Sequence, residues 1–193
     1  MSTWISKALS ILAVSGALGG CVAPGGTVRT GSAPVLGGAL TVALPRSYCI
    51  DPKAGHEGPD SAVIIAGRCS AGDPVAAAAI TISLGGPGSS EALKSGARAL
   101  SDWARSKAGR AAFSRNGNAG SVRIRQTLVS DGAFLILLED RHVGAYWRAA
   151  IGLKGRLVMI SVTPPEGGTL SLEDGRRIVG QVVQTMRRAN AAS

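Results

Sequence analysis

Aromatic residues are scarce, with three tryptophans, two tyrosines and two phenylalanines in 193 residues. No aromatic ladder accompanies the basic residues, so the chain lacks the stacking platform that single-stranded nucleic acid needs, and nucleic acid is not an expected partner. Histidine is limited to His56 and His142, and no Cys-x-x-Cys pair occurs among the three cysteines. Tetrahedral zinc needs four ligands at short spacings, so no metal and no cofactor is expected. The acidic residues number 12 against 21 basic ones, and Glu139, Asp140, Glu173 and Asp174 show no pattern that would set two carboxylates on facing elements for glycosidase chemistry. A Gly-x-Ser-x-Gly elbow is also missing. The nearest approach, Gly85-Gly86-Pro87-Gly88-Ser89, follows Leu84 rather than histidine, and Glu91 stands where a bound phosphate would sit. It reads as the entry loop of a helix. The longest apolar stretch, residues 8–18, falls short of the roughly 20 residues that cross a bilayer.

That stretch is informative in another way. Lys7, the apolar run behind it and the pair Gly19-Gly20 form the charged, apolar and small-residue regions of a secretory signal peptide. Leu18-Gly19-Gly20-Cys21 resembles the lipobox of bacterial lipoproteins. The resemblance implies that the Cys21 thiol is acylated, that residues 1–20 are removed, and that the protein is anchored by lipid in the bacterial cell envelope, facing the periplasm. Val22 stands where an aspartate would signal inner-membrane retention, which favours the outer membrane. Residues 22–38 are rich in glycine, proline, serine and threonine without an apolar period, and are expected to be a flexible tether leading to one domain over residues 39–193. With Cys21 assigned to lipid, Cys49 and Cys69 remain as an even pair in an oxidising compartment. A disulfide between them is expected, with two buried thiols as the alternative.

Within the domain, residues 40–44 alternate and end at Pro45, with Tyr48-Cys49-Ile50 as a continuation; residues 62–66 and 79–84 give a second and a third strand. His56 falls in the Gly- and Pro-rich loop between the first two. Apolar residues at helical spacing predict a helix over residues 91–107, capped by Ser89 or Ser90, with a further turn at residues 111–113. Four strands then follow closely at residues 121–129, 133–139, 145–153 and 156–163, a spacing that predicts an antiparallel meander. Ser171-Leu172-Glu173-Asp174 has the form of a capping box, and Val179, Val182, Val183 and Met186 draw an apolar stripe along the closing helix. The predicted class is α+β, an antiparallel sheet of six or seven strands with two helices packed against it, both on one face. The element order over residues 39–190 also resembles the PsbP-like fold. That resemblance implies an α/β/α sandwich serving as a binding or assembly module, and it transfers no catalytic residue.

The formal charge of +9 calls for an anionic neighbour, and the candidate contacts are Arg176, Arg177, Arg187 and Arg188 on the closing helix. The reading that follows is a non-enzymatic envelope lipoprotein, anchored in the membrane at Cys21, whose domain binds an envelope protein or an anionic envelope component. The alternatives are an envelope hydrolase using Ser89, His142 and Asp140, which would have to converge in a cleft, and a binder of anionic glycan or lipid through arginines sharing one face.

Overall fold

The computed structural model describes residues 30–191. Cys21 and the signal segment lie outside the described residues. The chain opens with a hairpin of β1 (Ser32–Val35) and β2 (Leu40–Ala43), paired from Ser32 opposite Ala43 to Val35 opposite Leu40. The expected tether is therefore corrected, because its last residues are part of the fold. The glycines counted as linker form the turn, where Leu36, Gly37 and Gly38 take positive φ angles of 55°, 63° and 86°. Flanking apolar residues supply the anchoring that composition concealed, since Val35, Leu36, Leu40 and Val42 are all buried. At the closing end of the chain, buried Asn190 donates from Nδ2 to the Thr41 carbonyl at 2.7 Å and accepts the Thr41 N–H at 2.9 Å. This clasp joins the second strand of the opening hairpin to the last residue of the closing helix.

A sheet of seven strands follows: β3 (Tyr48–Glu57), β4 (Ala62–Arg68), β5 (Ala79–Leu84), β6 (Val122–Ser130), β7 (Ala133–Asp140), β8 (Gly144–Leu153) and β9 (Arg156–Thr163). Its order is β3-β4-β5-β9-β8-β7-β6, with every neighbouring pair antiparallel. The four expected late strands all form. Two of their turns have positive φ at both central residues, Asp131-Gly132 (49° and 68°) and Lys154-Gly155 (46° and 77°), the geometry that matches the twist of a two-residue hairpin. The helical insertion after β5 returns as β6, so the sheet is completed only when β9 pairs with β5.

Residues 48–50 do not extend the first strand. Pro45 and the positive φ of Ser47 (69°) break the chain, and Tyr48 starts the edge strand of the larger sheet. That strand runs through the expected loop, so His56 is an exposed strand residue paired with Val63. A register shift between Ile50 and Gly55 absorbs Pro52, and Gly55 passes so near β4 that a Cβ there would lie 2.3 Å from the Val63 carbonyl oxygen.

The expected helix at residues 91–107 is instead a 3-10 helix, Ser89–Ser95, followed by α1 (Gly96–Arg105) and α2 (Lys107–Phe113). Ser106 divides the last two, its Oγ accepting the Gly109 N–H at 3.0 Å. Gly109 lies against the end of α1, where a Cβ would stand 2.1 Å from the Trp103 carbonyl oxygen. The closing helix α3 (Leu172–Asn190) begins at the expected cap, with Ser171 Oγ accepting the Asp174 N–H at 3.0 Å and donating to Asp174 Oδ2 at 2.7 Å.

The two helical layers lie on opposite faces of the sheet, which overturns the expectation of both on one face. Ile178, Val179, Val182, Val183 and Met186 of α3 share a core with Trp147, Ala149, Ile151, Ile160 and Val162. Ala104 and Phe113 share a second core with Ile124, Phe134, Ile136, Leu138, Tyr146 and Ala150. The reason is visible in β7, where Phe134, Leu135, Ile136 and Leu138 are buried at near-continuous positions. A strand with one wet face would alternate; this one is covered twice.

Candidate ligand groove

On the α1–α2 face, α1 and α2 pack against β6, with Ala104 and Phe113 reaching the side chains of β7 and β8, and the 3-10 helix packs against β8 and β9. Between these helices and the sheet lies a groove of about 1510 Å³, walled by Leu93, Leu100, Trp103 and Phe113 and bounded at one end by residues 164–168. Strand register sets its floor. One row places Phe134, Ala150, Met159 and Ser83 side by side on β7, β8, β9 and β5. The next row places Ile136, Arg148, Ser161 and Thr81 across the same strands. Directly opposed residues keep their Cβ atoms about 4.5–5.5 Å apart, so Arg148 and Ser161 are direct neighbours in the row and Thr81 is the next residue beyond Ser161.

Arg148 is the unusual residue. Its guanidinium carbon lies 5.4 Å from the centre of the Phe113 ring and 5.5 Å from that of Tyr146. Its Nε is buried and has no hydrogen-bond partner. The ion pairs among the described residues are Lys94–Glu91, Arg125–Glu139 and Arg177–Asp174, so no carboxylate neutralises Arg148. An arginine cannot escape burial by losing its proton, and ring faces offset its lost hydration by only about 0.5–2 kcal/mol. Arg148 is thus a partly desolvated positive charge that hydrogen-bonds the Tyr146 side chain and has no ion-pair partner. Of the carboxylates lining it, Glu166 is exposed at the rim and Asp140 is engaged, with Oδ1 accepting the His142 N–H at 2.8 Å.

Burial raises the Tyr146 phenol above its ordinary value near 10, with Arg148 pulling it back and Asp140 pushing it further up. Burial raises Tyr48 as well, against the opposing charge of Arg177. A folded-state pKa above the unfolded one contributes stability that is full below pH 10 and is lost as pH rises through the folded values. Ultraviolet titration of the two tyrosines should show no tyrosinate until the pH exceeds about 10, with ionisation and unfolding coinciding. A phenol that ionised at or below its ordinary value in the intact fold would contradict this.

The candidate triad is not assembled. Ser89 Oγ donates to the Gly86 carbonyl at 2.6 Å and accepts the Leu157 N–H at 2.8 Å, so it fastens the 3-10 helix to β9 rather than capping it. Gly85 is what admits that hydroxyl, since a Cβ there would lie 2.6 Å from Ser89 Oγ. Leu157 follows the hairpin at the far end of β8, whereas His142 precedes its start. Ten residues of strand separate the two ends by about 30 Å. His142 and Asp140 remain together in the β7–β8 turn.

The four arginines of α3 are each engaged locally. Arg176 stacks over Trp147 with its guanidinium carbon 5.7 Å from the ring centre, and Arg177 pairs with Asp174 at 2.5 Å, a contact that, with the Ser171 hydroxyl, lowers the Asp174 carboxyl below its usual range. Arg187 donates to the Asp131 carbonyl, and Arg188 to Thr185 Oγ1 at 3.3 Å. Eleven residues of helix set the two pairs about 16 Å apart. Cys49 and Cys69 form a disulfide, with Cα atoms 4.9 Å apart, that ties the edge strand β3 to the chain leaving β4.

Arg148 had a signal in the sequence that a survey of scattered arginines passes over. In Tyr146-Trp147-Arg148-Ala149-Ala150-Ile151 it is the one charge in a strand whose two alternating sets are otherwise apolar. A charge at that position has to face a cavity, a partner or a ligand. Its surroundings define an α+β protein of helix, sheet and helix layers with an open groove that has an arginine on its floor. Comparison with known protein families, curated proteins and solved structures finds no match to this chain.

Proposed function

We propose that this protein is a non-enzymatic binding module of the bacterial envelope, held to the membrane through Cys21, and that the groove around Arg148 is its working surface. The observation that carries the reading is Arg148 itself: a half-buried guanidinium held between two rings, with a sealed, unpartnered Nε, on the floor of a groove large enough for a small molecule. A charge in that setting is costly unless a ligand completes it. The lipobox resemblance supports the membrane anchor and an envelope location, the outer membrane before the inner. The helix–sheet–helix layering is in keeping with the binding or assembly role implied by the PsbP-like resemblance. Among the described residues no helix is long and apolar enough to cross a membrane.

Native mass spectrometry of the chain purified from envelopes tests the reading. The natural chain should carry a non-covalent ligand that is lost on denaturation, and R148M should carry none while remaining folded. C21A should leave the membrane fraction. An R148M protein with the same bound mass would overturn the groove assignment, and unchanged membrane fractionation of C21A would overturn the anchor.

A further inference from the structure

Resting on that reading, we infer that the groove binds a single-chain amphiphile with a carboxylate head, a fatty acid of about ten to twelve carbons. The head group follows from charge and donors. Arg148 offers one positive charge; its Nε is sealed and its guanidinium also hydrogen-bonds the Tyr146 side chain, so the remaining terminal N–H groups are the donors for a ligand. Those nitrogens form a planar fork that matches two carboxylate oxygens, and one guanidinium balances one monoanion. Ser161, opposite Arg148 in the same row, adds a hydroxyl beside the head, with Thr81 one strand further out.

The tail follows from what lies along the strands. From Ser161 the floor passes Met159 and reaches Leu157, with Leu93 and Leu100 of the helical wall opposite, and none of these residues carries a charge. Four residues along β9 span about 13 Å, the length of about ten methylenes in extended form. Trp103, on the same wall, is 48% exposed, an aromatic surface that an alkyl chain would cover. The other charged residues lining the groove, Arg115, Asp140 and Glu166, add no second net positive charge for a dianionic head, and an uncharged head would leave Arg148 without an anionic partner.

The test uses residues 22–193, which contain every described strand and helix and retain only Trp103 and Trp147. Trp147 is buried in the α3 core on the opposite face, so a change in tryptophan emission reports on Trp103. Dodecanoate below its micellar concentration should bind at least tenfold more tightly than dodecanol. Affinity should rise about fourfold per added methylene up to a chain of about ten and then level off. R148Q should reduce dodecanoate to the level of dodecanol, and R148K should fall between. S83F, which fills the groove from the neighbouring row and adds no tryptophan, should abolish binding with the fold intact by circular dichroism.

Equal binding of dodecanoate and dodecanol, or of acetate and dodecanoate, would overturn the inference, as would tighter binding of dodecyl phosphate than of dodecanoate. If the native chain carries an Arg148-dependent mass that is not a fatty acid, the inference fails while the groove reading stands. If nothing binds in an Arg148-dependent manner in either experiment, both fail.

Discussion

Replacing Trp147 with alanine should lower the unfolding free energy by about 3–5 kcal/mol, measured by chemical denaturation. Trp147 is 4% exposed and sits where α3 crosses β8. Its indole Nε1 donates to the Leu172 carbonyl at 3.0 Å, which pins the first turn of α3 to the sheet. Gly175 passes over the same ring, with its Cβ position 3.5 Å from Trp147 Cδ1, and Arg176 covers another part of it. Truncation would empty the largest side chain of this contact and remove the donor from the Leu172 carbonyl together. Trp147→Phe keeps the ring and loses the N–H, so its cost should be nearer 1–2 kcal/mol. Near-equal effects of the two substitutions would show that the hydrogen bond, and not the ring's volume, holds the helix.

Removing the disulfide, by reduction or as the C49S/C69S double substitution, should cost about 3 kcal/mol. The cross-link closes a loop with a sequence separation of 20, and the chain-entropy relation for that length gives this value. In a domain of this size the loss corresponds to a fall of about 6–12 °C in Tm. The position supports a large effect, because β3 is an edge strand whose ladder is interrupted between Ile50 and Gly55. Cys69 N–H also donates to the Ser47 carbonyl at 2.9 Å, so the bond closes the same corner that this contact holds. Thiol reagents should not label Cys49 or Cys69 before reduction. A shift below about 1 kcal/mol on reduction would mean that the unfolded chain is already restrained in this region.

Much of the architecture was legible before any coordinates. The turns at Asp131-Gly132 and Lys154-Gly155 and the cap at Ser171 are local signals, and each was read from a few adjacent residues. The even pair Cys49 and Cys69 needed only the assignment of the first cysteine. The opening hairpin is hidden in the sequence because Gly37-Gly38 has the composition of a linker, and only the burial of Val35 and Leu40 against distant elements shows it to be a turn. The place of His56 is hidden for the same reason: pairing with Val63 holds a glycine- and proline-rich segment in a strand.

The sequence by itself therefore determined the class, the late meander, the closing helix and the cysteine pair, because propensity, period and turn chemistry act over a few residues. Tertiary structure alone decided which face each helix covers, that Ser89 and His142 lie at opposite ends of β8, and that Arg148, Ser161 and Thr81 form one row. Those facts depend on strand order and register, in which β5 and β9, some seventy residues apart in the chain, become neighbours. A site assembled across four strands has no contiguous motif to read.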